Sequence, residues 1–253
     1  MTGFIRAEND FLSGAYADVV WGTGVLVSNA FDPFGFTSVH EGSFASTIDE
    51  PGGILAITTD TGDDDNACLF NGAYFARDGG CRMGARFKYS NTDCAVMVGF
   101  SDLISLTTPV MPLEFATATM TYLASTNVVG FNYDVDGTTD DFRAAMGQSG
   151  AGISDSSTTG VRANATVTAD RWFEAQVTIG VSGITECWLS DSGHIDGDNV
   201  PNLRLVKRFS TGTLISQTVG LLAELIIENR SGNARVLEVD YMWAEGNRDR
   251  RFN

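Results

Sequence analysis

Lysine is almost missing from this chain of 253 residues: only Lys88 and Lys207 occur, and Lys plus Arg total 16 against 32 Asp plus Glu, a net charge of -16. A surface so poor in cations repels phosphate, which argues against nucleic acid as a partner and disfavours an anionic membrane. Histidine is as scarce, with His40 and His194 alone. His194 lies in Ser190-Asp191-Ser192-Gly193-His194-Ile195-Asp196, a stretch that holds the residue types of an activated nucleophile. Activation needs a base oriented by a third group, and so short a polar loop reads as a solvated turn. No apolar run approaches the roughly 20 residues that cross a bilayer as a helix. The first ten residues, Met1 to Asp10, lack the basic start and apolar middle of a signal peptide, which predicts synthesis and folding in a cytosol. Cys68, Cys81, Cys94 and Cys187 show no C-x-x-C spacing, which argues against a zinc site. In a reducing compartment they are expected as buried free thiols. Proline is rare at 5 residues while glycine reaches 28, the balance expected where tight turns join many short strands.

What the chain does have is alternation. Phe173, Ala175, Val177, Ile179 and Val181 fall on one side of an extended segment, with Glu174, Gln176 and Thr178 on the other. Leu237, Val239, Tyr241 and Trp243 oppose Glu238 and Asp240 in the same way. Side chains of a strand alternate faces, so each run has one dry and one wetter face. Two dry faces packed together make a sandwich of two sheets. This parity places Trp243 in the core, and burial is the default expectation for Trp172 and Tyr241 as well. Trp188, between Cys187 and Leu189, is left unplaced.

Further strands are expected at Gly53–Thr59, Cys68–Phe75, Val128–Tyr133 with Phe142–Gly147 as its partner, Val161–Val167, Ile184–Leu189, Leu203–Phe209 and Val219–Glu228. Cys81, Met83, Ala85, Phe87 and Tyr89 alternate with Arg82, Gly84, Arg86 and Lys88, a strand with a basic outer row. The turn Asn91-Thr92-Asp93 and the apolar run Cys94–Phe100 then predict a hairpin with it. Leu113–Ser125 lacks period two and reads as a short helix or an irregular crossover. No repeat or linker divides the chain. One domain is expected: residues 1–46 an arm or added strands, residues 47–246 the sandwich, and residues 247–253 a loosely held polar tail.

The order of these pieces resembles the concanavalin A-like, or laminin G-like, jelly-roll proteins among the virion structural proteins of tailed bacteriophages. The pieces are Gly52–Thr59, Gly84–Lys88 leading to Val96–Asp102, Val129–Asp134 with its acidic turn, Arg171–Val177, Ala223–Arg230, Leu237–Trp243 and Arg248–Arg250. Each is short and degenerate; their order and spacing carry the likeness, over roughly Gly52 to Arg250. The resemblance implies an all-β antiparallel sandwich of two sheets and a non-enzymatic place on the particle. The first expectation is a capsid decoration, or cement, protein on the capsid outer surface, made in the host cytoplasm. Its partners would be the major capsid protein and further copies of itself, with a trimer suiting threefold lattice positions. The alternative is an adhesin on a head or tail fibre that binds a host glycan.

Three kinds of site follow from that resemblance. Relatives of this fold often hold calcium, which makes the acidic turn with Asp134, Asp136, Asp140 and Asp141 the leading metal candidate; no other cofactor is expected. Asp60, Asp63, Asp64 and Asp65 form a second candidate and Asp196 with Asp198 a third, although hairpin turns favour Asp and Gly for steric reasons alone. The aromatic and aliphatic residues Phe4, Ile5, Phe11, Phe31, Phe34 and Phe36 are the candidate lattice or subunit contacts, since such rings need covering. They could equally fold back on the sandwich. Glycanases of this fold carry runs of alternating acids on one strand face, and retention needs two carboxyl groups about 5–5.5 Å apart. Glu238-Val239-Asp240 begins such a run but lacks the last acid; Glu224 and Glu228 lack a central one. An enzyme is therefore not expected.

Overall fold

The computed structural model describes residues 4–9, 36–40, 43–47, 54–71, 75–103, 109–116, 119–122, 127–148, 152–153, 160–190, 202–210, 215 and 219–247. Among the described residues, apart from one short 3-10 turn, the elements are strands: β1 (Phe4–Asn9), β2 (Phe36–His40), β3 (Ser43–Thr47), β4 (Ile54–Thr58), β5 (Asn66–Asn71), β6 (Phe75–Ala76), β7 (Cys81–Tyr89), β8 (Cys94–Ser101), β9 (Leu113–Ala116), β10 (Thr119–Tyr122), β11 (Asn127–Asp134), β12 (Asp141–Gln148), β13 (Gly152–Ile153), β14 (Val161–Thr166), β15 (Phe173–Ile179), β16 (Thr185–Ser190), β17 (Arg204–Phe209), β18 (Gly220–Asn229) and β19 (Val236–Asn247).

Two large antiparallel sheets result. One runs β17-β16-β15-β7-β19-β4-β3, with β1 on the far half of β19; the other runs β13-β12-β11-β8-β18-β5-β2, with β14 on β12 and β6 on β18. Their facing sides share one core, in which Tyr89 and Phe173 of the first sheet meet Tyr133 and Phe142 of the second. Tyr89 stacks on Tyr133 at 5.7 Å and Phe142 meets Phe173 edge-on at 5.0 Å, the geometries aromatic quadrupoles favour.

Strands expected from alternation are present, with three corrections. First, β7 and β8 do not pair: β7 ladders to β15 and β19, while β8 ladders to β11 and β18. Both strands have a dry inner face, and each completes a different sheet, so Ser90–Asp93 arches between layers instead of closing a hairpin. Second, 113–122 is the two-stranded hairpin β9–β10. Third, Val181 does not extend the dry row of β15. The strand stops at Ile179, and Val181 sits 71% exposed in the following turn.

The segment expected as an arm or added strands contributes backbone to both sheets. β1 pairs with β19, β2 with β5 and β3 with β4, and the expected boundary at residue 46 falls inside β3. Phe4 and Ile5 lie on β1 and Phe36 on β2; Phe11, Phe31 and Phe34 lie outside the described residues.

The two sheets differ on their outer faces. β15 alternates buried and half-buried residues along its length, whereas β8, β11 and β18 are buried at every position. A second apolar cluster explains this: Met97, Val128, Ala145, Leu222 and Ile226 point away from the main core and pack with Leu113, Phe115 and Met120 of the β9–β10 hairpin. The first sheet is called the open sheet below, and the second the covered sheet.

Candidate functional site

The outer face of the open sheet is built by parity and one irregularity. Register shifts between Val239 and Tyr241, so Asp240 is an extra residue, a β-bulge. Beyond it the parity of β19 inverts: Met242 and Ala244 enter the core, while Tyr241 and Trp243 turn outward. Trp243 is thus not a core residue, contrary to the unbroken alternation of the sequence. Its indole covers Gly84 of β7, where a Cβ would come within 2.6 Å of Nε1. Trp172, Trp188 and Tyr241 are likewise only half-buried.

Charges are threaded between these rings. Lys88 pairs with Glu238 at 2.8 Å, Arg86 with Asp240 and Arg82 with Glu245, each across the β7–β19 ladder. The cations also lie over the indoles: Arg86 at 4.5 Å and Lys88 at 4.9 Å over Trp172, and Arg82 at 5.7 Å over Trp243. The Tyr241 hydroxyl donates to Glu174; burial is the main cause that pushes both groups upward. Glu238 and Asp240 are thereby committed to cationic partners, and the next outward residues after them on β19 are Tyr241 and Trp243. Beside this face, at the ends of β7, β15 and β19, a cavity of about 230 Å³ is lined by Cys81, Ile179, Val181, Arg82 and Glu245 among others.

At one end of the sandwich the acidic turns converge on a second feature. Arg230, with its side chain only 8% exposed, lies 2.8 Å from Asp64, 2.9 Å from Asp134, 2.9 Å from Glu228, 3.6 Å from Glu114 and 3.9 Å from Asp136. Asp134 also accepts from the Phe115 amide at 2.7 Å and the Asp136 amide at 3.1 Å. Burial foremost, then the Glu114 and Asp64 charges, push Glu228 up to about 7 against the opposing pull of Arg230 and Asn66.

The four aspartates expected to hold calcium are therefore divided. Asp134 and Asp136 face Arg230, Asp141 pairs with Arg162, and Asp140 stays exposed at the turn. Among the described residues no three His, Cys, Asp or Glu side chains form a metal-holding group. In the second acidic turn, Asp60 accepts from the Thr61 amide and Asp65 from the Gly62 amide, the local bonding that makes these residues good turn formers. Asp196, Asp198 and His194 lie outside the described residues, and His40 lies on β2.

The covered sheet holds one further acid. Glu224 is 1% exposed, its Oε1 has no hydrogen-bond partner, and the Ser101 hydroxyl donates to its carboxyl. Burial, foremost, pushes its carboxyl well above the usual carboxylate range, against the pull of the Ser101 hydrogen bond. The four cysteines are buried free thiols. Burial raises the pKa of each, which makes them poor nucleophiles.

Sequence reasoning missed both the outward tryptophans and the arginine hub. A bulge leaves no mark on an alternating pattern. For Arg230, the available sign was a lone cation after Glu228 in a chain full of unpaired acids.

No family model and no curated protein matches the chain. Solved structures match in fold. Peanut lectin gives a TM-score of 0.53 at 8% identity, over 97% of this chain and 98% of the lectin. Lectin I from Ulex europaeus, solved with the methyl glycoside of alpha-L-fucose, gives 0.52 at 10% identity, over 96% and 98%. A protein of unknown function from Shewanella oneidensis MR-1 gives 0.52 at 10% identity, over 98% and 88%. At such identities the likeness concerns the fold: this chain is an antiparallel jelly-roll sandwich of the concanavalin A-like, lectin-like form.

Proposed function

We propose that this chain is a non-enzymatic virion protein that decorates and reinforces a capsid lattice, and that it docks through the outer face of the open sheet. One observation carries the reading: Trp172, Trp243 and Tyr241 lie together on that face among Arg82, Arg86 and Lys88. Trp, Tyr and Arg are the residues that dominate protein–protein contacts, because each combines a large apolar area with a polar edge. The cavity beside Arg82 and Glu245 offers a place for an apolar side chain of the partner. Many copies, each burying about 1,000 Å² or more, would tie lattice subunits together multivalently.

Two features weigh against a sugar platform. The Trp172 and Trp243 rings are already occupied by cations, and the outward side of the covered sheet is filled by the β9–β10 hairpin. Glycan binding stands as the second reading, because the Ulex europaeus lectin of the same fold was solved with a fucose glycoside. Incubating the protein with expanded capsids tests the first reading. Binding should raise the capsid disruption temperature, and the paired change Trp172→Ala with Trp243→Ala should abolish it while the variant stays β-rich. Saturable sugar binding on a glycan array, with no capsid binding, would transfer the function to the second reading.

A further inference from the structure

We propose that two copies of this chain, when free of the lattice, cover the outer face of the open sheet for each other about a two-fold axis, and that the pair must part before either copy docks. The second half rests on the docking reading above; the first stands on the face alone. That face is striped. Its outward cations Arg82, Arg86 and Lys88 lie on β7, and the acids Glu238, Asp240 and Glu245 lie beside them on β19. Three charges of each sign cancel along this seam, in a chain whose net charge is -16. Two molecules so acidic repel each other over most approaches. Along the seam they do not.

A stripe of each sign is also self-complementary. A two-fold axis along the seam, parallel to the strands, carries β7 of one copy over β19 of the other and leaves positions along the strands unchanged. Lys88 stands opposite Glu238 in the ladder and Arg82 opposite Glu245, so each cation meets the same acid of the second copy as well. Both copies then present one and the same patch, as a closed dimer requires. The axis keeps the strands of the two copies aligned, which is how twisted sheets stack face to face, about 10 Å apart. Near the axis lies Trp243, whose ring covers Gly84 on the seam and therefore faces its own symmetry mate. Each charge of the seam already has a partner in its own copy, so association removes ring area from water and leaves no ion unpaired.

Sedimentation velocity on the full chain tests the dimer. At about 50 µM the unaltered protein should sediment as a dimer, and Trp243→Ala should weaken the association about tenfold or more. Lys88→Glu, which sets acid over acid, should leave a monomer with an unchanged β-rich spectrum. The axis itself is tested by thiols, since the four native cysteines are buried. Mixing Lys88→Cys with Glu238→Cys chains under mild oxidation should link the two kinds of chain in preference to like with like. A monomeric unaltered chain, or a dimer that both Trp243→Ala and Lys88→Glu leave intact, overturns the proposal. Expanded capsids test the second half separately: the linked dimer should not bind them, and reduction should restore binding. Linked dimers that bind overturn the mutual covering. An unaltered dimer that never binds capsids supports the pairing and overturns the docking reading alone.

Discussion

β15 and β16 of the open sheet have one face in the core and one face toward solvent, while the central strands of the covered sheet lie between two apolar clusters. The difference teaches that a face of a sandwich can be spent in two ways. On the open sheet the outer residues are long and amphipathic: Arg82, Arg86, Lys88, Trp172 and Trp243 bury their stems and rings and leave polar ends at the surface. On the covered sheet they are Met97, Val128, Leu222 and Ile226, together with glycines that let backbones approach. The first face can meet a partner. The second is already occupied by the chain itself.

The largest test of this contrast is truncation on the two outer faces. Ile226→Ala should cost about 2–5 kcal/mol, because it hollows the second cluster. Thr178→Ala on the open sheet should stay within about 0.5 kcal/mol. Urea denaturation of both variants measures the difference, and equal losses would mean that the hairpin does not seal the covered sheet. A smaller effect comes from added methyl groups. A Cβ on Gly99 drives into the Val129 carbonyl, where backbone of β8 and β11 must move, so Gly99→Ala should cost about 1–3 kcal/mol. On Gly84 the obstacle is the Trp243 indole, a side chain at the surface that can swing away. Gly84→Ala should therefore cost less and report itself as a shift in tryptophan fluorescence; the reverse ranking would break the comparison.

The smallest effect is the pH slope. Glu228 is raised from 4.5 to about 7 and Glu224 well above its ordinary value, both by burial on the covered sheet. A raised carboxyl keeps a proton in the folded chain that the unfolded chain releases. Its contribution is present in full below the unfolded value and is lost as pH rises through the folded one. For Glu228 that window runs from 4.5 to about 7, and Glu224 adds a slope of the same sign above its own unfolded value. The Tm should fall as pH rises across this window. Glu224→Gln should flatten the slope and raise the Tm on the alkaline side while leaving the acid side unchanged. A Tm that climbs with pH would place the buried acids elsewhere.

Much of the architecture was legible because burial imposes a period. The alternation of β7 and β15, the unbroken apolar run of β8 and the pairing of β11 with β12 could each be read before any coordinates. The candidate site was less legible. Trp243 carried core parity up to Asp240, and one inserted residue turned it to the surface. Asp134 stood in an acidic turn that suited calcium, and only the approach of Arg230, 96 residues away in sequence, gave it a different partner.

By itself the sequence determined that the chain forms strands with dry faces and an acidic, lysine-poor surface, since periodicity and charge are local properties of the residues. Tertiary structure alone decided that β7 and β8 belong to different sheets, that the β9–β10 hairpin seals one outer face, and that Arg230 gathers the acids of four segments. The physical reason is the range of the interactions. Alternation is fixed between neighbours along the chain, whereas layer assignment, register shifts and ion pairing are settled by which distant segments meet.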